Sequence, residues 1–349
     1  MAITPPTDSL VRDDAFLSTV DTYVTRRMVP VAAEQTLALG PIFNAGRVPG
    51  LDSTKPIIKG LGKQTIIRTP GRRYILPNAF EDSSNTQAFR GLDTLSTNFD
   101  DVGTAQEVEL AYYTDYAVIP WTDDFVNSGP EAKLNRWQEI VDMVTRTLTS
   151  TVETAFWGSA LDTGGTQKDI PGIAHYLDPT NTTGTQAGLN RANFTDLRCQ
   201  TITTGTFATA SEGLNEMDTM FTNCSGTNGI DHPTAIYMEA DGFNAYKTAS
   251  RGVYRITDPA TAEMDFMMVK YHGIPLMWSG NVTANRIYWV NHNYLKGILP
   301  LGGDFDSEEP ARPATQKIAL HRRLTFAMNW LFSRYDRQGV STVTSWTTG

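Results

Sequence analysis

Cysteine is nearly absent from this chain of 349 residues, with only Cys199 and Cys224 present. That excludes a disulfide framework and a cysteine-rich metal site. Long apolar runs are missing too, and no stretch approaches the roughly 18 consecutive apolar residues that cross a bilayer. The start, MAITPPTDSLVRDDAF, lacks the basic opening and apolar stretch of a secretory signal. A soluble protein of a reducing compartment is expected, and the sequons at Asn181, Asn193, Asn223 and Asn281 read as chance matches. Positive charge is short: 29 Lys and Arg against 38 Asp and Glu leave a net charge of -9. Chain-wide charge therefore argues against gripping nucleic acid by counterion release. Charged residues of both signs reach only 19%, below the roughly 25% of an average soluble domain.

Threonine is plentiful, with 46 residues, alongside 28 Gly and 18 Pro. Hydrophobic residues make up 40%, including 7 Trp, 13 Tyr and 15 Phe. That supports a large core and excludes wholesale disorder. The length alone suggests roughly two domains.

Residues 1–50 read as an N-terminal arm, with a short amphipathic helix through Phe16, Val20, Tyr23 and Val24 that ends before Pro30. The segment 54–80 carries Lys55, Lys59, Lys63, Arg68, Arg72 and Arg73 with no acidic residue. Strands at Thr65–Ile67 and Tyr74–Leu76 flank a Pro70-Gly71 turn, so a basic hairpin is expected. The next stretch inverts the sign: 81–124 holds ten carboxylates against Arg90 alone. Within it, 107–119 alternates as a half-buried strand, with Val108, Leu110, Tyr112, Tyr116 and Val118 on one side.

Asn127–Pro130 then sets up a helix start. Leu134, Trp137, Val141, Val144, Leu148, Val152 and Ala155 follow as one apolar stripe, closed by Gly158. Loops and short strands fill 159–208. A capping box at Thr209–Glu212 announces a second helix ending near Gly226. Strands are expected at Pro233–Met238, Phe266–Val269 and Ile287–Val290, with a short helix from Phe243 to Thr248. From Lys317 to Ser333 the even positions hold Ile318, Leu320, Leu324, Phe326, Met328, Trp330 and Phe332, interrupted by Arg322. This exceeds a normal strand, so a bend or two strands are expected. Val340–Thr344 supplies a last strand.

No catalytic constellation emerges. Gly60–Thr65 lacks the spacing of a phosphate loop, because Gln64 stands where a hydroxyl binds magnesium. The five histidines, at 175, 232, 272, 292 and 321, have no ligand spacing. Cys199 has no local base. Asp304–Glu309 alternates carboxylates without the glycine and terminal glutamate of a calcium loop, and reads as a solvated turn. The expectation is no enzyme and no cofactor. The basic segment is read as a projecting element that meets acidic surface, at 81–124 or 304–309, on a neighbouring identical subunit. A solvated loop is the simpler alternative.

The order of these elements resembles a tailed-bacteriophage major capsid protein of the HK97-fold family. FMMVKYHGIP, from Phe266 to Pro275, resembles the family's axial-domain strand. Tyr288-Trp289-Val290-Asn291 followed by Leu295 resembles the next, and Gln316 to Arg334 resembles the closing strands. The resemblance implies an α+β fold with an N-terminal arm (1–50) and an extended loop (51–103). A peripheral domain (104–204) with a spine helix at about 130–157 and an axial domain (205–311) follow. The C-terminal strands (312–349) complete the peripheral domain. It implies pentamers and hexamers tiling an icosahedral virion head around double-stranded DNA, made in a host bacterial cytoplasm. Lys55, Lys59, Lys63, Arg68, Arg72 and Arg73 fall in the loop that lies over a neighbour. Portal and scaffolding or decoration proteins are implied partners, and no membrane is. The short arm before the loop favours a separate scaffold. An encapsulin-like compartment shares the fold, and a tail or adhesin-like protein is the alternative from a different class.

Overall fold

The computed structural model describes residues 66–79, 85, 87–91, 93, 103–120, 130–159, 169–207, 210–226, 229, 231–251, 269–301, 306–307 and 319–346. The N-terminal arm with its expected helix, Lys55, Lys59, Lys63, Gly60–Thr65 and the 266–268 part of the expected strand lie outside them.

Strand β1 (Ile66–Thr69) and strand β2 (Arg73–Ala79) stand where the sequence places two strands around Pro70-Gly71, but they do not pair. Strand β2 pairs antiparallel with β3 (Gly103–Glu109), from Arg73 opposite Glu109 to Ala79 opposite Gly103. The expected hairpin is thus replaced by a ribbon whose strands lie some 30 positions apart. Strand β1 departs to run parallel to a strand near residue 297.

After Leu110 the chain enters β4 (Ala111–Pro120). Helix α1 (Pro130–Trp157) matches the expected spine over 28 residues, about 42 Å at 1.5 Å each. Its Val141, Val144, Leu148, Val152, Phe156 and Trp157 are buried. They pack with Ala111, Tyr113 and Ala117 of β4 in the main core. Helix α2 (Ile173–Tyr176) seats under the end of α1, and Ala174 donates its N–H to the Gly158 carbonyl at 3.2 Å. Strands β5 (Thr185–Gln186) and β6 (Leu189–Asn190) form a small hairpin over the ribbon's base, tied by Glu107 N–H to the Ala187 carbonyl.

Strand β7 (Gln200–Thr206), helix α3 (Ala210–Cys224), strand β8 (Ala235–Met238), helix α4 (Ala240–Arg251), and strands β9 (Val269–Tyr271), β10 (Ile274–Trp278) and β11 (Arg286–Val290) follow. The chain then passes through β12 (Leu295–Pro300), β13 (Asp306–Ser307), β14 (Ala319–Phe332) and β15 (Gly339–Ser345). Two main sheets result. One has the order β1-β12-β14-β13, with β4 also on β14; the other runs β7-β15-β11-β8-β10-β9.

Period-2 alternation explains both sheets. On β8 and β11, Ile236, Met238, Ile287 and Trp289 face the cluster under α3 and α4. Tyr237, Tyr288 and Val290 face the main core instead. Trp157, at the end of α1, lies edge-on to Tyr237 at 5.6 Å, so the spine helix reaches the underside of the six-stranded sheet. Strand β14 is one unbroken strand of 14 residues rather than two. Leu324, Phe326, Met328, Trp330 and Phe332 enter the main core, as their even spacing predicts. Leu331 faces the other way, into a cluster with Leu76, Val108, Leu110 and Ile298 under the ribbon. Arg322 is fully buried at the break in the apolar face.

Strand β15 does not stay beside β14. It crosses to the six-stranded sheet between β7 and β11, while β12 crosses the opposite way to β14 and β1. Both crossings are stitched together. Gln338, fully buried, accepts the Asn291 N–H at 2.8 Å and donates Nε2 to the Asn291 carbonyl at 3.2 Å. Ser333 donates its N–H to the Tyr294 carbonyl at 2.8 Å. Asp231 accepts from Asn291 Nδ2 at 2.9 Å and from the Tyr294 hydroxyl, and faces Arg337 at 3.5 Å.

Candidate functional site

Of the six basic residues singled out by sequence, Arg68, Arg72 and Arg73 are described. Arg68 is exposed on β1, and Arg72 and Arg73 occupy the corner that leads into the ribbon. Their acidic partners come from the following acidic block of the same chain. Arg73 pairs through Nη1 with Glu107 Oε1 at 2.8 Å and through Nε with Glu109 Oε1 at 2.6 Å. Arg72 Nη2 reaches Glu109 Oε2 at 3.4 Å. The antiparallel register produces this directly, since Arg73 and Glu109 stand opposite each other. The hydrogen bond to Glu109 leads the causes that raise the Arg73 pKa further above its ordinary value. All four side chains are solvent-facing, so water and salt screen these pairs and they add little net stability. Their effect is to cancel charge locally and hold the ribbon's base in register.

The ribbon has two unlike faces. Leu76 and Val108 are buried at its base, while Ile75 on the opposite face is exposed. Gln106, opposite Leu76, is fully buried, and its side-chain amide makes no hydrogen bond within the subunit. Beyond the paired strands, Phe89 is exposed and Asp93 Oδ2 accepts the Arg90 N–H at 2.8 Å.

The β4 side chains are placed differently from the sequence expectation. Val108 and Leu110 are buried, but so is Ala111, and two consecutive buried residues shift the alternation by one. Tyr113 and Ala117 therefore face the core while Tyr112, Tyr116 and Val118 face solvent. The physical cause is the junction at Leu110, where the chain leaves the ribbon for another sheet. An exposed apolar row of this kind was not visible in the sequence, because period alone does not say which half of an alternating strand is inside.

The remaining polar candidates have structural partners. His292 is fully buried between Thr234 Oγ1 at 2.5 Å and the Tyr237 hydroxyl at 3.0 Å. His272 Nε2 lies 2.9 Å from Asp218 Oδ1 and stacks on Phe221. Burial first, and the nearby Arg191 charge second, lower the His175 pKa to about 4. Burial likewise pushes the Cys199 thiol up to about 12, and that of Cys224 higher still. Among the described residues, no three His, Cys, Asp or Glu side chains gather as metal ligands, and no helix is long and apolar enough to cross a membrane. Of the acidic stretch 304–309, only Asp306 and Ser307 are described, and they pair with β14 as strand rather than as the expected turn.

The sequence matches no protein-family profile and no curated protein. Solved structures do match. The capsid asymmetric unit of cyanophage A-1(L) superposes with TM-score 0.57 at 14% identity, covering 80% of this chain and 90% of that one. The holo-encapsulin complex of Synechococcus elongatus PCC 7942 gives 0.51 at 11%, covering 79% and 84%. A Mycobacterium phage Bobi structure gives 0.50 at 8%, covering 81% and 89%. At such identities the likeness is one of fold. The chain has the α+β HK97-type fold shared by tailed-phage capsid subunits and encapsulins.

Proposed function

We propose that this chain is the structural subunit of a self-assembled icosahedral shell, a major capsid protein forming pentamers and hexamers around double-stranded DNA. The observation that carries the reading is the superposition on a phage capsid subunit over 80% of the chain. The exposed ribbon, with apolar side chains turned to solvent, agrees with it. The role is structural, and the site of action is the contact between copies. The basic run Lys55, Lys59, Lys63, Arg68, Arg72 and Arg73 lies at such a contact in this proposal. Arg72 and Arg73, already neutralised by Glu107 and Glu109, set register there more than they attract. The division into arm, loop, peripheral and axial parts keeps the boundaries read from sequence, except that β12 belongs with the sheet of β14 and β15 with the sheet of β7 and β11. Portal and scaffolding or decoration proteins complete the particle, and the chain, made in the host bacterial cytoplasm, ends in the virion capsid.

The test is purification of the full chain, light scattering and negative-stain microscopy, with and without a scaffold protein. Capsomers or closed shells support the reading. Monomer under every condition overturns it. The likeness to an encapsulin favours a second reading, a compartment that encloses an enzyme. Particles from the native source distinguish the two: nuclease-protected double-stranded DNA supports the capsid, and a co-purified enzyme without DNA supports the compartment.

A further inference from the structure

Arg191 is a buried cation without a counter-charge. It follows the β5–β6 hairpin and is 2% exposed, yet its hydrogen bonds all go to neutral oxygens. Nε donates to Gln186 Oε1 at 2.5 Å, Nη2 donates to the His175 carbonyl, and the backbone N–H donates to the Gly184 carbonyl at 2.9 Å. It pairs with no carboxylate among the described residues. Asp178, whose charge is felt at His175, is half-buried, and its Oδ1 accepts the Thr180 N–H and hydroxyl, each at 3.0 Å. A guanidinium keeps its proton, so Arg191 cannot shed its charge. Leaving such a charge unpaired in an interior is costly.

The same place holds amide groups without partners. Gln186 spends Oε1 on Arg191, but its Nε2 bonds nothing within the subunit. Gln106 leaves both amide atoms unbonded, and both glutamines are fully buried. The two stand side by side in the backbone, since the hydrogen bond from the Glu107 N–H to the Ala187 carbonyl, 2.9 Å, joins the residues that follow them. Gln106 shares its face of β3 with Val108, and Val108 packs in one cluster with Ala187. The Gln106 amide therefore lies on the side of the ribbon that the hairpin covers.

We propose that a chloride-sized anion binds here, beside the Arg191 guanidinium and within reach of Gln186 Nε2 and Gln106 Nε2. One full positive charge calls for one negative charge, and side chains this enclosed admit a monatomic ion rather than a phosphate. Water satisfies the amides but leaves the charge unanswered. Gln106 presents Nε2 by a half-turn of its amide. The ion joins three elements: β3 at the ribbon's base, the β5–β6 hairpin and, through the His175 carbonyl on Arg191, helix α2 under the end of α1. It rivets the ribbon to the body of the subunit. Lying inside one subunit, it stands apart from the shell reading.

The experiment unfolds the full-length, unassembled chain in urea, in mixtures of sodium chloride and sodium gluconate at one ionic strength, followed by tryptophan fluorescence. Constant ionic strength removes differences in screening. The folding constant is expected to rise with chloride, up to tenfold for each tenfold in concentration once the site fills. Equal stability in chloride and gluconate overturns the proposal and leaves water in the site. Two variants locate the effect. Gln106→Leu is expected to lose most of the chloride dependence. Gln106→Glu brings its own carboxylate to Arg191, and is expected to fold and to be indifferent to chloride. Chloride dependence that survives unchanged in both variants belongs to another site and overturns the proposal. So does a Gln106→Glu chain that cannot fold, because a buried carboxylate within reach of Arg191 is a paired one. Where Gln106→Leu does not fold, Gln106→Glu alone decides. In crystals grown in sodium bromide, anomalous density among Arg191, Gln186 and Gln106 is the expected direct signal, and its absence at molar bromide refutes the site.

Discussion

Gly172→Ala is expected to loosen the end of the spine helix severely, although it adds one methyl group. Gly172 has an extended backbone, φ -79° and ψ 163°, that any residue adopts, so the effect is steric and not conformational. A Cβ built there falls 1.7 Å from the Gly158 carbonyl oxygen and 2.3 Å from its carbon. Both neighbours are backbone and cannot rotate away. Restoring a van der Waals contact of about 3.5 Å requires the two segments to part by roughly 1.8 Å. That separation breaks the Ala174 to Gly158 hydrogen bond. Overpacking of this kind costs about 1–3 kcal/mol and the hydrogen bond about 1 more. A loss of about 3 kcal/mol lowers the folding constant roughly 150-fold. Gly205→Ala in β7 is the control, because its Cβ meets nothing within 4 Å. It is expected to stabilise by about 0.4–1 kcal/mol through the unfolded chain. Urea unfolding of the unassembled subunit, followed by the fluorescence of buried Trp157 and Trp330, measures both. A Gly172→Ala protein within 0.5 kcal/mol of wild type refutes the packing argument, on the usual scatter of neutral substitutions being about that size.

Gln338→Leu strands the Asn291 N–H at the double crossing between sheets and leaves the Asn291 carbonyl only the Tyr294 N–H at 3.2 Å, a buried loss of about 1–3 kcal/mol that the same urea titration reads. The folded state keeps His175 neutral down to about pH 4, whereas the unfolded chain takes up a proton near 6.5. The unfolded state therefore binds more protons between those values, and stability falls as pH drops from 6.5 to 4. His175→Gln is expected to flatten that part of the profile; an unchanged slope refutes it. Neither thiol is expected to react with a maleimide at pH 8 in the native chain, and both are expected to react in urea, as counted by mass spectrometry. Reversing Arg72 and Arg73 to Glu sets two new carboxylates against Glu107 and Glu109 at the ribbon's base, and normal shells from that protein, by negative-stain microscopy, refute the proposed role of the basic run.

The elements legible in the sequence were those whose burial repeats over many residues. The α1 stripe from Val141 to Trp157 and the even positions of β14 from Leu324 to Phe332 each present one face to one core, so period and packing agree there. What escaped was pairing between distant strands. Pro70-Gly71 has the chemistry of a hairpin turn, yet Arg73 meets Glu109 because opposite charges and the Leu76–Val108 face select a partner some 30 residues onward. The same non-locality hid the partners of β15, whose Val-Ser-Thr-Val pattern is compatible with either sheet until Gln338 and Asn291 fix the crossing. The error on β4 has the largest functional consequence. Reading 107–119 as one strand puts Tyr112, Tyr116 and Val118 inside, whereas the single residue Leu110 between β3 and β4 turns them out. A surface that looks like core to a periodicity argument is what a subunit contact requires, since its residues are buried in the assembly and exposed in the monomer. A periodic apolar pattern reports burial without saying whether the chain itself or a second copy supplies it, and under the proposed shell reading the exposed row on β4 is a face for a second copy.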